Sequence, residues 1–84
     1  MTARVIVEMP QAAFSEYLGW YGRDVVAIDA EHCAWPLEAN AVENLLVALL
    51  WIPPGVAYRV EGPPEVMEFV AAQAERFAAA SAQG

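Results

Sequence analysis

Apolar positions change period along the stretch from Asn40 to Met67, NAVENLLVALLWIPPGVAYRVEGPPEVM. Val42, Leu45, Leu46, Leu49 and Leu50 recur at spacings of three and four, which stacks them on one side of a helix. Asn40 is placed to cap that helix, with Glu43 bonding back in the reciprocal N-terminal box. Ile52-Pro53-Pro54-Gly55 predicts a turn, and Val56 to Glu61 then alternates as a strand. Val56, Tyr58 and Val60 share one face of it, with Ala57, Arg59 and Glu61 opposite. A last helix is predicted from Pro63 or Pro64, with Glu65 near its positive end and Val66, Phe69, Val70 and Phe77 as its stripe. Beyond Ala71 the chain thins to AAQAERFAAASAQG, where helix propensity is high and burial weak. That tail either frays or lies against a second body.

The first half is read the same way. Ala3 to Met9 alternates, with Val5 and Val7 on one side and Arg4, Ile6 and Glu8 on the other. Pro10 opens a helix striped by Phe14, Tyr17 and Leu18 and stopped near Gly19. Trp20, Tyr21 and Gly22 form an aromatic connection. Arg23 to Asp29 is a second predicted strand, Ala30-Glu31 a short turn, and His32 to Ala39 a third strand. Cys33, Trp35 and Leu37 take one side of that third strand; His32, Ala34, Pro36 and Glu38 take the other. Pro36 cannot donate to a ladder, so it belongs near an edge or where the strand leaves the sheet. The order is β-α-β-β-α-β followed by a helix, in one domain spanning residues 1–84. This is the ferredoxin-like plan, an α+β fold whose four-stranded antiparallel sheet is covered by helices on one face.

The Asn40–Trp51 helix is greasier than one core face requires. Val47 and Trp51 spill past its stripe, and a helix apolar beyond one stripe usually packs on something further. Val47, Leu50, Trp51, Met67 and Phe77 are the candidate interface residues. Trp20 and Tyr21, together with Trp51, are either edge packing around helix ends or anchors of an oligomer interface.

Composition sharpens this picture and removes several classes of function. At 84 residues the chain is small, and a domain of that size gains from a partner. Four arginines and no lysine face eleven Asp and Glu, for a net charge of −7. Phosphate contacts carry most non-specific nucleic-acid affinity, so no direct DNA binding is expected. The acidity serves solubility or a preference for basic partners. Cys33 is the single cysteine and excludes an internal disulfide and a cysteine-built zinc or iron–sulfur site. A reducing cytoplasm is the expected compartment. MTARVIVEMP lacks the apolar core of a signal peptide, and the run from Leu45 to Pro54 is far short of the ~20 residues that cross a bilayer. No membrane association is expected.

No catalytic, metal or cofactor set can be assembled. His32, the lone histidine, reads as an ordinary strand residue or a pH-sensitive interface residue, and Cys33 beside it as a small core filler pointing the other way. There is no glycine-rich phosphate loop. Glu65, Glu68 and Glu75 fall on the solvated side of the last helix. If the first and fourth strands pair antiparallel, Arg4 opposes Glu61 and Arg59 opposes Glu8 as cross-strand ion pairs. The alternative use of Arg4 and Arg59 is a small anion or ligand site.

A strand ending near a proline (VIVEMP), a helix, a hairpin leading into NAVENLLVALL, a Pro-Gly turn, a strand AYRVEG and a closing Pro-Pro-Glu helix together resemble the WCX domain, the C-terminal extension of WYL-domain transcriptional regulators. The resemblance spans essentially the whole chain. One departure is Met67, which stands where that family often carries a basic residue. The resemblance implies a non-enzymatic dimerisation and regulatory domain of a bacterial regulator. It implies a homodimer, side by side or with swapped elements, and upstream WYL and winged-helix domains that this chain lacks. It is then either a C-terminal piece of such a regulator or a free-standing version. A second reading is a free-standing small-molecule sensor similar to the ACT domains, which share the topology and bind amino acids between subunits. The connection EMPQAAF lacks the glycine-rich approach usual for such a site.

Overall fold

The computed structural model describes residues 2–38 and 40–82, and its central strand is β1 (Thr2–Val7). After β1 come α1 (Gln11–Leu18), a 3₁₀ turn (Gly19–Gly22), β2 (Val26–Ala27), β3 (Cys33–Glu38), α2 (Val42–Leu49), β4 (Tyr58–Glu61) and α3 (Pro64–Ser81). The strands form a four-stranded sheet in the order β2-β3-β1-β4, antiparallel at every pairing. Among the described residues, three α-helices complete a mixed α+β fold.

Strand alternation dictates the core. Register sets Val5 opposite Trp35 and Val7 opposite Cys33 across β1 and β3, and Val5 opposite Val60 across β1 and β4. Phe14 and Leu18 of α1 pack on this face with Leu49 of α2, and Val25 and Ile52 close its rim. Phe14 meets Trp35 edge to face, ring centres 5.5 Å apart and planes at 80°. Such a pair contributes about 0.5–1.5 kcal/mol beyond the area it buries. The other face carries Arg4, Glu8, Pro36, Arg59 and Glu61. Between α2 and β4 the N–H of Val56 donates to the carbonyl of Pro53 at 3.2 Å, and Gly55 sits at φ +85°. Proline then a left-handed glycine at the two central positions makes a type II turn.

Several sequence expectations are corrected here. The second strand is two residues long rather than seven. Instead of further ladder, the N–H groups of Ile28 and Asp29 both donate to the carbonyl of His32, at 3.0 and 3.2 Å, which turns the chain early. The first strand ends at Val7 rather than Met9, and the fourth starts at Tyr58 rather than Val56. Asn40 and Glu43 make no capping box: the residue flanking α2 is Ala41, and no side chain caps that end. The expected end of the third strand, Ala39, lies outside the described residues, as does the side chain of Val42. Pro36 stands two residues past the last β2 pairing, Val26 with Ala34. There β3 has only β1 beside it, so the missing N–H costs no ladder bond on the open side.

Three stripe residues also turn outward, Phe77 on the outer half of α3 among them. Tyr17 is exposed, because the small core is already filled at that end by Phe14 and Leu18. Leu50 is 76 % exposed. Past Leu49 the N–H groups of Leu50, Trp51 and Ile52 donate to carbonyls three residues back, at 3.1, 3.1 and 3.2 Å. In this tightened turn residues three apart eclipse one another. Ile52 therefore follows Leu49 into the core, and Leu50 follows Val47 into solvent.

Candidate functional site

The tightened end of α2 builds an apolar surface on the helical side of the molecule. Val47, Leu50 and Trp51 are exposed there, Trp51 by half its surface. The 3₁₀ turn after α1 brings Tyr21 onto Trp51, ring centres 5.3 Å apart and tilted by 58°. Two hollows flank this pair. One, of about 280 Å³, has Trp35 and Leu37 of β3 at its base and Tyr21, Val47 and Trp51 as walls, with Asn44 its one amide side chain. The other, of about 450 Å³, lies among Tyr17, Val47, Leu50 and Trp51. Val47 and Trp51 line both, so the surface is continuous. Monomeric proteins rarely leave large contiguous apolar patches uncovered.

The remaining interface candidates are exposed but not assembled with these. Met67 and Phe77 both stand out from α3, and neither lines either hollow. Trp20 is explained locally, since the Arg23 guanidinium sits 4.3 Å above its ring as a cation–π pair. Sequence reasoning missed Tyr17, taken for core, along with Leu37 and Asn44. A signal for Tyr17 was present: a phenol seldom enters a small core without a partner for its hydroxyl.

The opposite sheet face is ionic. Arg4 lies opposite Glu61, and its Nη2 stands 2.6 Å from Glu61 Oε1. The expected partner of Arg59, Glu8, is corrected to Glu61, whose Oε2 is 3.1 Å from Arg59 Nη2. The cause is register: Arg59 faces Ile6, while the Glu8 N–H donates to Ala57. Hydrogen bonds from Arg4 first, then the charge of both arginines, hold the Glu61 carboxyl below the usual range. Glu8 instead stands 3.8 Å from His32 Nε2, while His32 Nδ1 is 2.8 Å from Asp29 Oδ1. The Asp29 hydrogen bond raises the imidazole pKa, and the Glu31 N–H and then His32 lower that of Asp29. Cys33 is buried as expected, and burial pushes its thiol pKa up, away from reactivity. Among the described residues no three His, Cys, Asp or Glu side chains group as metal ligands, and no helix is long and apolar enough to cross a membrane.

Comparison with known protein families, curated proteins and solved structures finds no match to this chain. The functional reading therefore rests on its own geometry.

Proposed function

We propose that this chain is a non-enzymatic, self-associating regulatory domain of the WCX type, working in the cytoplasm within or beside a bacterial WYL-type transcriptional regulator. The fold is read as ferredoxin-like, a reading supported by the element order and by the sheet order β2-β3-β1-β4. One observation carries the function: the continuous apolar surface of Tyr17, Tyr21, Val47, Leu50 and Trp51, exposed beside a small, already filled core. Two copies joined through it about a two-fold axis would set the separation of whatever domains each carries. Interfaces concentrate their energy in aromatic anchors at the centre of such a patch, and Trp51 occupies that place here.

Sedimentation equilibrium tests the reading. The protein is expected to dimerise at micromolar concentration, and Trp51→Ala to weaken the dimer by about 2 kcal/mol or more. Leu50→Gln, at a largely exposed position, should weaken it while leaving the circular dichroism spectrum and melting unchanged. A protein that stays monomeric at high micromolar concentration defeats the proposal.

A further inference from the structure

The ionic face of the sheet holds a hollow of about 370 Å³ that shares no lining residue with the apolar surface around Trp51. Ile6 and Ile28 supply apolar surface, Arg59 stands at one side, and Glu8, Asp29 and His32 stand at the other. Its volume is at the lower end of small-molecule sites, which pair apolar lining with a few placed polar groups. The charges there do not cancel locally. Arg4 and Arg59 share the single carboxylate of Glu61, leaving a surplus positive charge beside Ile6. Glu8 and Asp29 flank one imidazole, leaving a surplus negative charge even when His32 is protonated.

We propose that this hollow is a binding site for a small zwitterion, a molecule with a primary ammonium and a carboxylate on a short apolar body. The ammonium sits at Glu8, whose nearest described partner is the imidazole 3.8 Å away. The carboxylate sits at Arg59, where only Nη2 is engaged by Glu61 and the other guanidinium donors remain for a ligand. Glu8 and Arg59 are diagonal neighbours on adjacent strands, about 7–8 Å apart at the backbone. An α-amino acid carries an ammonium and a carboxylate on one carbon beside an apolar side chain, which supplies both charge-assisted contacts at once. Its side chain then lies over Ile6 and Ile28. A metal ion fits less well, since Glu8 and Asp29 approach different nitrogens of the ring and do not converge on one point.

The test is an NMR titration of the whole protein with leucine, with 3-methylbutylamine as the cation alone, and with 3-methylbutanoate as the anion alone. Leucine is expected to shift the amide signals of Ile6, Glu8, Ile28, His32 and Arg59 saturably. Each single-charge analogue should bind about tenfold or more weakly, as loss of one charge-assisted pair predicts. Glu8→Gln and Arg59→Gln should each weaken leucine by a similar factor, and both positions are exposed enough for the fold to survive. The proposal is overturned if leucine gives no saturable shift at millimolar concentration. It is equally overturned if the shifts centre on Trp51, or if either analogue binds as well as leucine.

Discussion

His32 shows how one side chain can tie separate strands together. Standing just before β3, it reaches Asp29 in the preceding turn and Glu8 just past β1, so its charge acts on both. Its pKa is raised above the ordinary imidazole value of 6.5, so protonation favours the folded state. That contribution is fully present below pH 6.5 and is lost as pH rises through the higher folded value. Asp29 behaves oppositely: its depressed pKa contributes stability above 3.8 that is lost as pH falls through the folded value. The pair therefore acts over the mildly acidic range between the two. Urea denaturation of wild type and His32→Gln from about pH 5 to about pH 9 should show a stability gap that is full below pH 6.5 and narrows as pH rises through the higher folded value. A gap constant with pH would mean that packing, not charge, is what His32 supplies.

At the scale of elements, the junction after α1 decides how the apolar surface is presented. The Ser15 hydroxyl donates to the Gly22 carbonyl at 2.8 Å, folding the 3₁₀ turn back against α1 and carrying Tyr21 toward Trp51. The approach is close enough that a Cβ on Gly22 would stand 2.7 Å from the Ser15 carbonyl oxygen and 2.8 Å from its Cα. Both are backbone atoms and cannot swing aside. Gly22→Ala should cost about 1–3 kcal/mol in chemical denaturation, as overpacking does, and should also loosen the Tyr21–Trp51 contact. Tryptophan fluorescence reports the second effect. α3 behaves differently. Val66 at its start is buried beside Gly62, Phe69 and Val70 are half-buried, and from Ala74 to Ser81 every residue is exposed. The alanine-rich sequence keeps that outer half helical without packing, as its intrinsic propensity predicts.

The whole molecule is longer than its chain length requires. Its radius of gyration is 13.4 Å with extents of 41 × 29 × 21 Å, against about 12 Å for a compact chain of this size. The projecting α3, about 27 Å long at 1.5 Å per residue, accounts for the difference. Each copy carries a net charge of −7, so two copies repel at long range while the apolar surface attracts at contact. Added salt screens the repulsion and leaves the apolar term intact, so the dimer should tighten as ionic strength rises. Sedimentation equilibrium over a salt series checks this, and a dimer that loosens with salt would point to ion pairs across the interface. By itself the sequence determined the order of elements, the core faces of β1 and β3, the start of α3 near Pro63 and the excess of apolar surface at Val47 and Trp51. Each of these follows from spacing along the chain, because side-chain direction within an element repeats with a fixed period. Only the tertiary structure decided which of those apolar residues face solvent and which ions pair. Leu50 points outward because the end of α2 tightens, and Arg59 meets Glu61 because strand register places it across from Ile6. Turn geometry and register depend on contacts between residues far apart in the chain, and no local pattern carries them.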